Sequence, residues 1–259
     1  MNQSERCIFL INELIKEDSR YSGVVIPETS SGRRELLRGL MNIRAPRPVR
    51  ADILSIQDEY LRTETLMKGV TDERDIPEVR SGIAIWQGDI TTLKCGAIVN
   101  AANSGMTGCY IPNHRCIDNA IHTYAGMQLR LCCDDMMKKQ GYEEPAGCAK
   151  ITEAYNLPSE YIIHTVGPII KDRVRKKDEE LLHSCYSSCL ELAADNSVES
   201  IAFCCISTGE FHFPNKQAAE IAVKAVEEFM VRRSSIRKVI FNVFKDEDRK
   251  IYEDILRMH

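Results

Sequence analysis

The hydrophobic spacing changes character once along the chain. Before about residue 70 the apolar positions recur at helical intervals. Ile8, Leu10, Ile11, Leu14 and Ile15 share one helical face, and Leu36, Leu37, Leu40 and Met41 repeat the period. The polar stretch VIPETSSGRR lies between them, and Pro46 and Pro48 break the pattern after the second. A third amphipathic segment runs from Ile53 to Met67, with Gly69 as its stop. From Gly82 onward, short apolar runs alternate with helical stretches. Strands are predicted over Ile83–Trp86, Ala97–Asn100, Ala149–Ala154, Tyr161–Val166, Ser200–Ile206 and Lys238–Val243. Helices are predicted near 115–140, 177–195, 215–232 and 246–257. This alternation predicts a three-layer α/β sandwich with a mainly parallel or mixed sheet. The expected organisation is an N-terminal helical extension over 1–70, a linker over 71–81 and an α/β domain over 82–259. The extension is either a plain packing element or a substrate-recognising appendage.

Composition narrows the function. With 259 residues the chain has room for one large core plus an extension. A net charge of −4 argues against broad phosphate-backbone binding, so no nucleic-acid partner is expected. No apolar run is long enough to span a bilayer, so no membrane partner is expected either. The N-terminus carries Glu5, Glu13, Glu17 and Asp18 and lacks a basic start with a cleavage site, so no signal peptide is read. Eleven scattered cysteines, an odd number, predict reduced thiols in a cytoplasmic protein.

Four loops carry chemistry. Gly88-Asp89-Ile90-Thr91 follows a strand; Asp89 either caps a turn or accepts from an exocyclic amine or ribose hydroxyl, with neighbouring N–H groups facing a ring nitrogen. Asn100-Ala101-Ala102-Asn103-Ser104-Gly105 is either a left-handed turn or a place where small residues let a ligand approach and Asn103 meets a sugar diol. Ser207-Thr208-Gly209-Glu210-Phe211 precedes a helix opened by Pro214. It is either a plain connection or an anion site built from backbone N–H groups, with Phe211 covering a ribose. The fourth, Cys109-x4-His114-x-Cys116, offers two thiols and an imidazole, a donor set suited to Zn²⁺ with an open fourth position; reduced structural cysteines are the alternative. His122 is a fallback fourth ligand, more in keeping with a core or groove position, and His164 reads as structural.

In order, GDIT, IVNAANS, CIDNAIHTYAG, GCAKITEAYNLPSEYIIHTVGP, ISTGEFHFPNKQAAEIA and FNVFKDEDRKIY closely resemble the macrodomain family of ADP-ribose binders, over about residues 82–258. The resemblance implies an α/β/α sandwich with ADP-ribose in a cleft at the strand ends. It implies that Asp89 takes the adenine amine and Ile90 the adjacent ring edge through its backbone, with Asn242 and Phe244 bordering the base. Asn103 then contacts the distal ribose, Ser207, Thr208, Gly209, Glu210 and Phe211 wrap the diphosphate and distal ribose, and Cys116, Ile117 and Asp118 complete the ADP-ribose contacts. Where hydrolytic macrodomains often carry a glycine run, this chain has GCYIPNHRC before Ile117-Asp118. That departure, with the N-terminal helices, resembles the zinc-dependent, sirtuin-linked subgroup, whose zinc ligands match Cys109, His114 and Cys116.

The activity so implied is zinc-dependent removal of mono-ADP-ribose from protein side chains, with Asn103 and Asp118 as the catalytic pair. The implied partners are ADP-ribose and a modified protein, with a lipoylated glycine-cleavage-H-like carrier as the subgroup's acceptor. A non-catalytic ADP-ribose reader, or a hydrolase of O-acetyl-ADP-ribose or ADP-ribose 1″-phosphate, would use the same cleft.

Overall fold

A computed structural model describes residues 1–232 and 234–258. Its centre is a seven-stranded sheet, ordered β2-β3-β9-β8-β5-β7-β6. The strands are β2 (Glu78–Arg80), β3 (Ile83–Gln87), β5 (Ala97–Ala102), β6 (Ala149–Glu153), β7 (Tyr161–Val166), β8 (Ser200–Phe203) and β9 (Lys238–Val243). The five inner strands pair in parallel, and β2 and β6 join antiparallel at the two edges. The inner strands are continuous apolar runs because helices cover both faces of a parallel sheet. Ala97, Ile98 and Val99 in β5 and Ile201 and Ala202 in β8 are fully buried. Helices α6 (Lys176–Asp195), α7 (Asn215–Met230) and α8 (Asp246–Met258) pack in sequence, while α4 (Ile117–Ala125) and α5 (Met127–Gln140) are the two that follow β5. The expected mixed α/β sandwich is what forms.

Three expected segments differ in the folded chain. The single helix expected near 115–140 is split at Gly126, whose φ of +103 lies in the region that glycine tolerates. A Cβ there would stand 2.7 Å from both Gln57 Nε2 and Gln128 Oε1. The strand expected over 200–206 stops at Phe203, because the chain turns away from the sheet there. The segment 71–81, expected as a linker, carries β1 (Thr71–Asp72), which pairs with β4 (Leu93–Lys94), and the edge strand β2. Ile76 within it is buried in the main core, and Lys238 Nζ donates to the carbonyls of Glu73 (2.6 Å) and Ile76 (2.7 Å).

The N-terminal segment forms α1 (Gln3–Lys16), α2 (Ser30–Ile43) and α3 (Ala51–Lys68). A reciprocal cap starts α1, with Glu5 N–H donating to Asn2 Oδ1 (2.9 Å) and Asn2 N–H to Glu5 Oε2 (2.8 Å). Gly69, at φ +91, ends α3 where the sequence pattern places the stop. Cys7, Leu10, Ile11 and Leu14 form the buried face of α1, so Ile8 and Ile15 flank it rather than centre it. With Leu37, Leu40, Met41, Ile53, Tyr60 and Leu61 they make a second core, and Met127 of α5 belongs to it. The break at Gly126 explains that crossing: it frees the Met127 N–H to donate to Gln57 Oε1 of α3 (2.9 Å). Replacing Gly126 by Ala combines a strained φ with overlap on two polar side chains. A loss of about 1–3 kcal/mol in stability is expected, read by denaturant unfolding against the wild type.

Candidate functional site

Strand order sets the site. The C-terminal ends of β3, β9, β8, β5 and β7 share one rim, as parallel pairing requires. Along the rim the chain presents Asp89 after β3, Asn242 and Phe244 at the end of β9, the 204–213 loop after β8, Asn103 after β5 and Gly167 after β7. Strand β5 pairs with β7 over all six of its residues, but with β8 only through Ala97↔Ile201 and Ile98↔Ala202. The chain following β8 therefore parts from β5, which leaves a crevice at the strand ends, where open α/β sheets bind ligands.

Asp89 caps the short turn Ile90–Thr92: its Oδ1 accepts from Thr91 N–H (3.0 Å) and Thr91 Oγ1 (2.6 Å). Its Oδ2 accepts from Lys68 Nζ at the end of α3 (3.0 Å). Burial opposes its ionisation, but the Thr91 hydrogen bonds and the Lys68 charge outweigh that and hold the carboxyl below its ordinary value. Asp89 is thus a turn cap whose carboxylate remains about two-fifths exposed. Asn242 donates to the Gly88 carbonyl (3.0 Å) and so fixes the turn that carries Asp89, beside the exposed Phe244.

In the 204–213 loop, Ser207 and His212 have left-handed φ values of 64 and 57. The turn is closed by Phe213 N–H to Ser207 O (2.9 Å) and His212 N–H to Gly209 O (3.0 Å). Among the described residues, the N–H groups of Gly209, Glu210 and Phe211 have no hydrogen-bond acceptor, and these are the donors an anion would take. Gly167 makes room for this shape: a Cβ there would lie 2.0 Å from Ser207 Oγ.

Asp118 lies in the first turn of α4 and is buried. Its Oδ1 accepts from Asn100 Nδ2 (2.9 Å) and its Oδ2 from Asn103 Nδ2 (3.2 Å). Burial pushes its carboxyl up to about 6, against the lowering effect of Asn100, Arg130 and Asn103. Asn103 also donates to Gly108 O (3.2 Å) and accepts from Gly105 N–H (3.0 Å), so one side chain ties the loop start to the carboxylate. Asn100, which sequence reasoning passed over as a single residue, is the closer partner of Asp118. Its second amide hydrogen faces His164 Nδ1 (3.1 Å), whose Nε2 faces Thr152 Oγ1 (3.0 Å). That network assigns His164 a neutral, Nε2-protonated ring, and burial holds it down to about 4. His164 is thus a structural residue, as its sequence context implied. His122 does not join the Cys109 group. It is buried, with its Nε2 3.6 Å from Asp118 Oδ1 and near Cys133 and His164.

Cys109, His114 and Cys116 come together, with one ligand atom from each lying within 4.8 Å of the others. Cys109 Sγ is 3.6 Å from His114 Nδ1, and His114 Nε2 is 3.6 Å from Glu210 Oε1 across the crevice. Cys116 is the N-cap of α4, its Sγ accepting from Asn119 N–H (3.4 Å). Burial, with the Cys109 sulfur also adjacent, pushes the Cys116 thiol up to about 12. Ile117 opens α4 beside it, so the metal candidates, the helix N-terminus and Asp118 are contiguous.

A model of the Macro domain family matches residues 99–222. A Treponema medium protein named protein-ADP-ribose hydrolase is 51% identical over 260 residues, covering 99% of this chain and 100% of its own length. This chain belongs to the macro domain family. A protein-ADP-ribose hydrolase of Staphylococcus aureus (strain MRSA252) is 49% identical over 251 residues, 96% of this chain and 94% of its own. Among solved structures, the Oceanobacillus iheyensis macrodomain with ADP superposes with a TM-score of 0.63 at 35% identity, covering 71% of this chain and 94% of that one. The Trypanosoma brucei macrodomain in complex with ADP gives 0.65 at 26% identity, covering 86% and 95%. In the macro domain crevice of this chain, Asn100 is the largest of the influences that lower the Asp118 pKa against burial. Asn100→Ala removes a donor to the charged form, so the Asp118 pKa is expected to rise above its value near 6; carboxyl NMR titration reads the shift.

Proposed function

We propose that this macro domain hydrolyses the bond between the distal ribose C1″ and an acceptor side chain of a mono-ADP-ribosylated protein, releasing ADP-ribose. The observation that carries the reading is Asp118: a buried carboxylate aimed by two asparagines at the end of the crevice where the Cys–His–Cys group also sits. It is supported by relatives near 50% identity, named protein-ADP-ribose hydrolase, that align over nearly the whole chain.

The chain's own residues divide the work. Free amides of Gly209, Glu210 and Phe211 take the diphosphate, remote from the bond that breaks. Asp89 takes the adenine amine, with the Ile90 backbone on the ring edge. Asn103 orients the distal ribose. Asp118, ionised above about pH 6, accepts a proton from the attacking water. The water oxygen bonds to C1″, the bond from C1″ to the acceptor side chain breaks, and the proton passes to the departing side chain.

The residues fit Zn²⁺. Two sulfurs and one imidazole nitrogen within 4.8 Å of one another match the donor set and mutual spacing of a tetrahedral site with one open position. Glu210 facing His114 Nε2 is the kind of carboxylate partner that orients a ligating imidazole. Bound there, the ion would supply Lewis acidity and a fourth position for a distal-ribose hydroxyl or a water. In this reading the ion would chiefly hold the ribose hydroxyl, with some activation of water, because two thiolates would donate charge and leave it a weaker acid than three imidazoles would. The acceptor in this reading is a lipoylated glycine-cleavage-H-like carrier, and the compartment is the cytoplasm; eleven free thiols support a reducing compartment.

Two outcomes are expected. Released ADP-ribose from a carboxylate-linked acceptor should fall to background with a strong zinc chelator and in Cys116→Ala, while Cys116→Ala keeps its fold by circular dichroism. Full turnover in metal-free Cys116→Ala would remove zinc from the mechanism, and tight ADP-ribose binding with no release in any arm would favour a reader. Second, kcat/KM should rise with pH through a limb near 6, because protonated Asp118 cannot take the water's proton. A rate flat from pH 5 to 8 would remove Asp118 as the base.

A further inference from the structure

The loop carrying Cys109, His114 and Cys116 has little structure of its own. Between residues 109 and 116, His114 N–H to Ile111 O (3.2 Å) is the one internal backbone hydrogen bond among the described residues. Asn113 within it is left-handed, with φ 56. With one backbone bond of its own, this mostly exposed segment is tied down by partners on neighbouring helices.

Those partners are specific. Arg38 of α2 donates through Nη2 to the carbonyl of His114 (2.9 Å) and to Asn119 Oδ1 (2.8 Å), with Nε adding a second bond to Asn119 Oδ1 (3.2 Å). Asn119 in turn donates to the carbonyl of Ile111 (3.0 Å). Asn42 of α2 accepts from Asn113 N–H (2.9 Å) and donates to Thr123 Oγ1 of α4 (2.9 Å). Gly39 lets α2 come this close: a Cβ there would lie 3.3 Å from Asn113 Nδ2. Arg130 of α5 joins the same join from behind. It donates to the carbonyls of Met41, Asn42 and Arg44 at the end of α2 and reaches Cys109 O at 3.4 Å, with its guanidinium over the Tyr110 ring.

We propose that α2 is the second wall of the metal loop, with Arg38 and Asn42 as positioning residues that hold residues 109–116 in the shape that presents their ligand atoms together. The proposal rests on the metal reading above. It gives the N-terminal extension a function other than substrate recognition: α2 supplies the backbone partners this loop lacks. Arginine suits the place because one planar guanidinium serves two acceptors on two segments, which an ammonium does not do with the same geometry.

Zinc affinity is measured by competition with a chromogenic chelator for the full-length wild type, Arg38→Ala, Arg38→Lys and Asn42→Ala. Arg6→Ala, at the Arg6–Glu59 pair between α1 and α3 of the same extension, is the control. Hydrogen exchange of the 109–116 amides is read in the metal-free proteins. The expected result is zinc affinity weakened by about tenfold to a hundredfold in Arg38→Ala and Asn42→Ala. Arg38→Lys should be only partly restored, Arg6→Ala unchanged, and loop exchange faster while exchange in β5 is not. Excess zinc should restore turnover to Arg38→Ala and not to Cys116→Ala. Wild-type zinc affinity with wild-type loop exchange in Arg38→Ala overturns the proposal, as does exchange that rises equally in β5. A wild type that takes up no zinc overturns the metal reading instead; faster loop exchange in the variants would then leave the bracing role standing, and unchanged exchange would remove it.

Discussion

The site depends on a carboxylate kept away from water. Asp118 is buried at the start of α4, and an isolated buried charge is costly unless it is paired or hydrogen-bonded. Asn100 and Asn103 supply those bonds from the end of β5. One interaction therefore locks strand end, loop start and helix start together. Burial raises the titration, Asn100, the Arg130 charge and Asn103 lower it, and burial wins. The result is a carboxyl that changes charge near pH 6, within the range useful to a general base at neutral pH.

The crevice around Asp118 is a consequence of topology. Parallel strands end on the same rim, so segments far apart in the chain meet there. β5 pairs with β8 only through its first two residues, which leaves room between their outgoing loops. The loops then face each other closely enough for Glu210 to reach His114. Nothing local to either loop requires this meeting; the strand order does.

The N-terminal helices have a core of their own, yet they are bound to the α/β domain at polar points. Gln57 meets Gln128 and the Met127 N–H, Lys68 meets Asp89, and Arg38 and Asn42 meet the 109–116 loop. Each contact satisfies a backbone end or a side chain that serves the crevice. The break at Gly126 makes the arrangement possible by turning α5 so that Met127 enters the helical core. Extension and crevice are thereby joined at named polar contacts.

Much was legible in the sequence because it is local or compositional. The switch from helical to strand periodicity, the stop at Gly69, the six main strands and the Cys–His–Cys spacing all follow from neighbours along the chain. The motifs in order were enough for the family resemblance. Other features were not legible. The break at Gly126 interrupts an otherwise helical pattern, and only the packing of Gln57 and Gln128 shows why no Cβ fits. The edge strand Glu78–Arg80 is short and exposed, so it has no hydrophobic signature and forms because β3 offers an unpaired edge. Asn100 was one polar residue in a turn-like run until β5 and α4 placed it against Asp118. Arg38 and Asn42 lie about seventy residues before the loop they hold. Sequence alone thus determined which residue types could carry chemistry and where most helices and the main strands lie, since both depend on residue type and near neighbours. Tertiary structure alone decided which of those residues meet, how far Asp118 is desolvated and what holds the 109–116 loop in shape, because distance and burial depend on how segments remote in the chain pack.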